Sequence, residues 1–260
     1  MEKLKHQIKN RHNLSIAVEI YSPENPKGLV FIQHGVTGYK EELQIQKMRD
    51  VFYANHYHSV VFDSTHSLGE SEGSLMNFTA TTHLHDMEDV IAWSKAQSFY
   101  KEPFITSGHS MGGFSALYYT WKHPEKVMAV APISTTVSGR YLDESYLKNK
   151  NASHVKWKEE GKILKTNNNK TDFLSWNFIE DFSNYNFLDS ANEITVPVIL
   201  IVGDKDSSAP PEHQQELFDI LNCPKELHII ENAAHSFLLE SERNEMGQYL
   251  DQWIKILAVS

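Results

Sequence analysis

The feature of this sequence that most constrains its fold is a series of short apolar segments, each bounded by turn-forming residues. The segments are 29–32, 59–62, 103–106, 127–130 and 196–202. Strands that are apolar on both faces belong to parallel sheets that helices cover on both sides. Amphipathic stretches of helical length alternate with these segments, at 41–55, 79–98, 111–122, 211–221 and 241–258. The alternation predicts a doubly wound α/β fold.

The two ends of the chain complete this sheet. Residues 3–9 and 14–21 alternate between polar and apolar side chains around a polar turn at 10–13, which predicts an antiparallel hairpin at the sheet edge. Residues 227–230 form the last predicted strand, and the helix at 241–258 follows it. A chain of 260 residues fits one large α/β domain.

The segment 135–187 interrupts the alternation because it contains no long apolar strand. It is rich in aromatic residues: Tyr141, Tyr146, Trp157, Phe173, Trp176, Phe178, Phe182, Tyr185 and Phe187. Within it, 163–165 and 171–174 flank a polar turn and predict a small hairpin. We interpret 135–187 as an inserted cap over the sheet edge where α/β proteins bind ligands, and 1–134 with 188–260 as the core. Most of the aromatic residues are expected to pack within the insertion, and two or three to face a substrate.

The composition excludes several classes of function. The formal net charge of -10 argues against nucleic acid or an anionic membrane as a partner. The single cysteine, Cys223, permits no intrachain disulfide and no cysteine-based metal site. The first residues contain no apolar segment typical of a signal peptide, and no segment approaches transmembrane length. We therefore expect a cytoplasmic protein.

The segment Gly108-His109-Ser110-Met111-Gly112 is the strongest chemical signal in the chain. It matches Gly-x-Ser-x-Gly, in which a serine occupies a strained strand-to-helix turn and the glycines avoid collision with neighbouring backbone. The predicted strand before it and the predicted helix after it supply the context that this motif requires. The N-terminus of that helix favours developing negative charge. Ser110 is therefore the predicted nucleophile.

A nucleophilic serine needs a base, and the base needs an orienting carboxylate. On a sheet of this type the acid and then the histidine follow the serine in chain order. Two acids, Asp204 and Asp206, follow the strand at 196–202, and one loop histidine, His235, follows the last strand. His235 is the predicted base, because its small neighbours leave room for the imidazole. The residues alone leave the choice between the two acids open.

The other histidines fit this chemistry less well. His109 is the variable position of the motif, His213 opens a predicted helix and His228 lies within a strand. His83 and His85 suggest a metal site, but residues two apart on a helix diverge, so we interpret them as part of a solvated helix face. No metal ion and no organic cofactor is predicted.

The oxyanion of an acyl-transfer reaction needs two backbone donors. One is predicted to be the N–H of Met111, the residue after the nucleophile. The other is predicted in the loop after the strand at 29–32, with Val36 as the first choice and Thr37 as the second. His34, in the same loop, is predicted to shape that loop through a hydrogen bond.

Four segments together resemble α/β-hydrolase fold carboxylesterases: the loop at 34–38, the motif at 108–112, the turn at 203–206 and His235. The resemblance covers nearly the whole chain. The resemblance is closest to bacterial feruloyl/cinnamoyl esterase-like hydrolases, and it is weaker to monoacylglycerol-lipase-like serine hydrolases. It implies an eight-stranded sheet, and it selects Asp206 as the acid because the family places the acid third after the glycine that ends the seventh strand.

These observations predict a serine hydrolase that cleaves small to medium carboxylic esters through an acyl-enzyme intermediate, with a small-molecule ester as its partner. A thioesterase, an amidase or peptidase, and a lipase use the same residues and are the alternatives within the enzyme class. A ligand-binding module with a hydrolase fold is the alternative outside it. The loop at 62–73 carries Ser64-Thr65 where the family usually has an arginine-glycine pair, which leaves fine specificity open. A homodimer through the helices at 211–221 and 241–258 is compatible with the sequence.

Overall fold

The computed structural model describes residues 2–141 and 152–257. Its strands are β1 Glu2–Lys9, β2 Ser15–Ser22, β3 Gly28–Gln33, β4 Tyr57–Phe62, β5 Phe104–His109, β6 Val127–Ile133, β7 Lys162–Asn167, β8 Lys170–Ser175, β9 Val198–Gly203 and β10 Lys225–Ile230. Eight of the described strands form one sheet in the order β1-β2-β4-β3-β5-β6-β9-β10. Along this order, every neighbouring pair from β4 onward is parallel. Strand β2 pairs antiparallel with both β1 and β4. The predicted doubly wound sheet with an N-terminal antiparallel hairpin is confirmed.

The described helices cover both faces of this sheet. They are α1 Leu43–Ala54, α2 Ala80–Ser94, α3 Met111–Lys122, α4 Ala152–Glu160, α5 Asn177–Phe182, α6 Pro211–Ile220 and α7 Glu240–Leu257. Side chains alternate along each strand, so Phe31 joins the apolar cluster that contains α2 and α3, and Ile32 joins the cluster that contains α1 and α7. None of the described helices combines the length and the apolar character needed to cross a membrane.

Between β6 and β9 lies the predicted cap, residues 135–187, called the cap segment below; residues 142–151, including Tyr146, lie outside the described residues. Strands β7 and β8 pair as an antiparallel hairpin that is separate from the main sheet. The turn residues Asn168 and Asn169 have φ values of 50° and 56°. These left-handed values are typical of a type I′ turn, and asparagine tolerates them. The predicted small hairpin is confirmed, and the domain boundaries stay predictions.

Several aromatic side chains of the cap segment pack against the core. Phe182 meets Phe114 of α3 edge to face, with 5.1 Å between the ring centroids. The rings of Phe178 and Phe78 lie 5.6 Å apart. Trp157 is buried as well. These contacts differ from the expectation that most aromatic residues pack within the insertion, because Phe178 and Phe182 extend the core cluster of the main sheet.

The positions of three predicted site residues follow from the strand order. Ser110 directly follows β5, Asp206 lies shortly after β9, and His235 lies shortly after β10. Because β5, β6, β9 and β10 are parallel and adjacent, their carboxyl ends meet at one edge of the sheet. Ligands of doubly wound sheets bind at this edge.

Candidate active site

Ser110 occupies the sharp turn between β5 and α3, with φ 57° and ψ -118°. Its N–H donates to the carbonyl of Ile133 at 2.9 Å. A positive φ at a non-glycine residue costs about 1–3 kcal/mol and persists only where the surroundings fix it. Here a Cβ on Gly108 would lie 2.3 Å from the backbone of Gly112, and one on Gly112 would lie 2.0 Å from the carbonyl oxygen of Gln33. Close backbone packing therefore requires both glycines of the motif.

Ser110, His235 and Asp206 form a continuous hydrogen-bonded chain. The hydroxyl of Ser110 donates to Nε2 of His235 at 3.0 Å, and Nδ1–H of His235 donates to Oδ2 of Asp206 at 2.8 Å. A carboxylate only accepts hydrogen bonds, so it holds the imidazole in the tautomer whose Nε2 can accept the serine proton. The arrangement can therefore activate the hydroxyl for nucleophilic attack.

Asp206 is held as a carboxylate by its neighbours. Its Oδ1 accepts the N–H groups of Ser208 at 2.9 Å and Ala209 at 2.8 Å. Burial alone would raise the pKa of this carboxyl. The hydrogen bond and the charge of His235, together with the two backbone amides, outweigh burial and lower the pKa of Asp206 below its ordinary value. The rival acid, Asp204, instead forms an ion pair with Lys205 at 3.2 Å.

His109, the variable position of the motif, joins the turn of Ser110 to the loop of His235. Its Nε2–H donates to the backbone carbonyl of His235 at 2.7 Å, and the two ring centroids lie 4.7 Å apart. Burial, reinforced by the charge that His235 can carry, lowers the pKa of His109 to about 3. The ring therefore stays neutral and keeps the proton that this hydrogen bond needs.

The loop after β3 packs directly on Ser110. A Cβ on Gly35 would lie 2.9 Å from the Cβ of Ser110. The N–H of Gly38 donates to the carbonyl of Gly35 at 3.1 Å and closes a β-turn. The third residue of this turn, Thr37, has a φ of 60°, which fits a type II turn and is unusual for a β-branched residue. Val36, the second residue, follows the glycine that contacts Ser110.

His34 shapes this turn through a hydrogen bond, as the sequence predicts. Its Nδ1–H donates to the carbonyl of Gly35 at 2.7 Å, and its Nε2 accepts the N–H of Ser64 at 3.0 Å. Burial lowers the pKa of His34, which favours the neutral ring that this pair of contacts requires. Because both ring nitrogens are engaged, His34 is not placed to act as the base.

The two predicted oxyanion donors are backbone amides close to Ser110. Met111 is the first residue of α3, and Val36 lies in the turn that packs on Ser110. Among the described residues, no protein acceptor engages the N–H of either one. The N-terminus of α3 adds a partial positive charge at the same place. Unengaged donors beside a nucleophile are what stabilisation of an oxyanion requires.

The interpretation of His83 and His85 as a solvated helix face is wrong for His83. Its ring is fully buried, because position 83 falls on the apolar stripe of α2 that includes Ala80, Leu84 and Met87. Its Nδ1 pairs with the hydroxyl of Ser115 at 2.9 Å. Over the part of the chain that the structure describes, no group of three or more His, Cys, Asp or Glu side chains is placed to hold a metal ion.

The sequence analysis missed two polar residues beside the turn, Glu42 and Asn167. Asn167 ends β7 in the cap segment, and its Nδ2 donates to Oε1 of Glu42 at 3.0 Å and to the carbonyl of Thr37 at 3.2 Å. Burial raises the pKa of Glu42 to about 7, although Asn167 and the nearby His235 act in the opposite direction. No local motif marks either residue, so only the folded structure brings them together.

Comparisons with known proteins bear on the family and the fold of this chain. The family model described as Serine aminopeptidase, S33 matches residues 24–177 and 153–242. The mitochondrial palmitoyl-protein thioesterase ABHD10 of Mus musculus is 25% identical over 158 residues, which make up 60% of this chain and 52% of that protein. The chain thus spans about half the length of this curated relative.

Two solved structures are similar over nearly the whole chain. Est1E from Butyrivibrio proteoclasticus with bound ferulic acid has a TM-score of 0.81 at 17% identity, over 98% of this chain and 100% of that chain. Mouse α/β-hydrolase domain-containing protein 10 has a TM-score of 0.78 at 20% identity, over 98% and 99%. At these identities the likeness shows the fold. The family match, which covers more than half of the chain, shows that this protein belongs to the serine aminopeptidase S33 family, on an α/β-hydrolase fold.

Proposed function

We propose that this enzyme hydrolyses small to medium carboxylic esters through an acyl-enzyme intermediate on Ser110. The observation that carries the proposal is the hydrogen-bonded chain from the Ser110 hydroxyl through His235 to Asp206, with distances of 3.0 and 2.8 Å. This is the arrangement of nucleophile, general base and orienting acid in serine hydrolases. The amides of Val36 and Met111 supply the donors that the transition state needs.

In the first half of the proposed reaction, His235 takes the proton of Ser110 as Oγ attacks the ester carbonyl carbon. The carbonyl oxygen becomes an oxyanion, which the N–H groups of Val36 and Met111 stabilise. Asp206 stabilises the imidazolium. The C–O bond to the alcohol then breaks, and the alcohol leaves with the proton that His235 held.

In the second half, a water molecule attacks the acyl group on Ser110 while His235 accepts a proton from that water. A second oxyanion forms at the same donors. Its collapse breaks the bond to Oγ, releases the carboxylic acid and returns the proton to Ser110. Every step uses groups that this chain supplies, together with the ester and water.

A thioesterase is the second candidate, and the observation that favours it is the similarity to a palmitoyl-protein thioesterase. A thiolate leaves in place of an alcohol, and the roles of Ser110 and His235 are unchanged. The two functions separate in a comparison of oxygen esters and thioesters that carry the same butyryl group. A higher kcat/KM for the oxygen ester supports the first proposal, and a higher value for the thioester supports the second.

The central test is the variant Ser110→Ala. It should abolish hydrolysis of p-nitrophenyl butyrate and leave the far-ultraviolet circular dichroism spectrum unchanged. A fluorophosphonate probe should label the wild-type protein and not the variant, because only an activated serine reacts. A wild-type protein that resists the probe and does not hydrolyse the ester would contradict the proposal and favour a ligand-binding module.

A further inference from the structure

The side-chain amide of Asn167 makes hydrogen bonds through both its nitrogen and its oxygen at the junction of the cap segment and the core. Its Nδ2 carries two hydrogens, which serve the carbonyl of Thr37 at 3.2 Å and the carboxylate of Glu42 at 3.0 Å. Its Oδ1 accepts the backbone N–H of Asn168 at 2.9 Å, within the hairpin turn. Asparagine is the residue that carries two N–H donors and an oxygen acceptor on a side chain of this length. The residue therefore joins the hairpin tip to the turn beside Ser110.

The turn that Asn167 contacts does not favour its own conformation. Thr37 has a φ of 60°, and a β-branched residue keeps such a value only where its surroundings fix it. His34 and Gly38 fix the first half of the turn by donating to the carbonyl of Gly35. Asn167 fixes the second half at the carbonyl of Thr37.

The contact to Glu42 gives Asn167 a second anchor on the core. Glu42 immediately precedes α1, and Gln44 in the first turn of that helix donates to its Oε2 at 3.2 Å. The carboxylate also lies against the turn, because a Cβ on Gly38 would come within 2.8 Å of Oε2. One amide thus connects the Gly35–Gly38 turn, the start of α1 and the cap segment.

We propose that Asn167 is a positioning residue for the hydrolysis. It holds the Gly35–Gly38 turn in the conformation that directs the N–H of Val36 at the oxyanion, so the oxyanion site is complete only with the hairpin tip in place. This inference rests on the proposed function, since the direction of that N–H matters only when an oxyanion forms. It makes a residue of the cap segment part of the catalytic architecture.

The sharpest variant is Asn167→Asp. It keeps the shape of the side chain and the oxygen that accepts the N–H of Asn168, but it replaces both donors with an oxygen that faces Glu42 and the carbonyl of Thr37. We expect kcat for p-nitrophenyl butyrate to fall about 10- to 100-fold with KM changed less than about threefold, because a misdirected donor acts on the transition state. Affinity for a trifluoromethyl ketone, which forms an oxyanion on Ser110, should fall by a similar factor.

Asn168→Gly is the matched control. It removes the neighbouring side chain of the same turn, whose Nδ2 donates to the carbonyl of Leu68 at 3.3 Å. Glycine accepts the φ of 50° at this position. Because the contacts of Asn167 to the Gly35–Gly38 turn stay intact, kcat and ketone affinity should stay within about twofold of wild type.

The outcomes separate the inference from the proposed function. Unchanged kcat and ketone affinity in Asn167→Asp would overturn the inference, and so would an equal loss in Asn168→Gly. A wild-type protein that neither hydrolyses the ester nor reacts with a fluorophosphonate would overturn the proposed function itself. Should the carboxylate prevent folding, Asn167→Ser removes the same donors without adding charge and should give the same loss of kcat.

Discussion

The turn that carries Ser110 and the tip of the β7–β8 hairpin both shape the site, but different forces hold them. The first is local in sequence: β5, the two glycines of the motif and the start of α3 lie within residues 104–122. Backbone packing within the motif, and against Gln33 of β3, leaves no room for a Cβ on either glycine. The hairpin tip acts through hydrogen bonds to residues 125 and 130 positions away. Steric exclusion thus places Ser110, and polar contacts between distant segments arrange the loops around it.

The largest expected effect tests the hydrogen-bonded chain behind the first region. Asp206→Asn should lower kcat/KM for p-nitrophenyl butyrate by about 10⁴-fold, because an amide favours the wrong tautomer of His235. Asp204→Asn is the matched control and should stay within about threefold of wild type. If Asp204→Asn carried the large loss, the acid would be the other aspartate.

The next effect tests whether packing fixes the turn of Ser110. Gly112→Ala should lower the free energy of unfolding by at least about 3 kcal/mol, because its Cβ would lie 2.0 Å from the carbonyl oxygen of Gln33. Urea unfolding measures this change, and the m-value shows whether the transition remains cooperative. A loss below about 1 kcal/mol would mean that the backbone here can shift and that packing does not fix the turn of Ser110.

A third effect concerns the half-buried carboxyl that Asn167 contacts. The pKa of Glu42 is raised from 4.5 to about 7 in the folded chain. The unfolded chain therefore releases this proton first, and ionisation destabilises the fold as the pH rises from 4.5 to 7. Glu42→Gln removes this cost while keeping an acceptor for Asn167. It should raise the free energy of unfolding by up to about 3 kcal/mol at pH 8 and leave it nearly unchanged at about pH 4.

Unfolding titrations of the wild type and Glu42→Gln at acidic, near-neutral and alkaline pH measure this difference. The stability gain should appear through the interval in which the unfolded carboxyl is ionised and the folded one is not. A gain of the same size at every pH would show that ionisation of Glu42 is not its cause.

The smallest effect separates backbone strain from crowding. Gly161, between α4 and β7, has a φ of 71°, and a Cβ built on it has nothing within 4 Å. Gly161→Ala should therefore cost only the strain of a left-handed alanine, about 1 kcal/mol of unfolding free energy. A loss as large as that of Gly112→Ala would show that left-handed strain at Gly161 costs as much as crowding at Gly112, which lies within α3 and has no positive φ.

Much of the core could be predicted from sequence because its signals are local. Apolar segments bounded by turns predicted β3, β4, β5 and β9, and amphipathic periodicity predicted α3 over its observed length. The placement of Ser110, Asp206 and His235 at neighbouring strand ends follows from chain order in a parallel sheet. Their distances depend on the fold, and their catalytic roles stay proposals.

The sequence analysis misread His83 and overlooked Asn167 for one physical reason: the environment of each residue depends on contact between segments far apart in the chain. His83 looks polar in sequence, yet the packing of α2 buries it beside Ser115 of α3. Asn167 lies in a polar turn like many others, and its partners Thr37 and Glu42 carry no complementary motif. Neither burial nor a partner can be assigned until the neighbouring element is in place.

The hydrogen bond from His109 to the carbonyl of His235 also bears on how activity should respond to acid. The two rings are close neighbours, and two charged imidazoles at that distance would repel. With its pKa lowered to about 3, His109 takes up no proton in the range where ester hydrolysis is assayed. If acidification abolishes activity at a pH above about 4, the proton responsible therefore binds to a group other than His109. His109, the variable residue of the motif, therefore stays neutral over this pH range. It holds the loop of His235, the proposed base, without adding a second positive charge beside it.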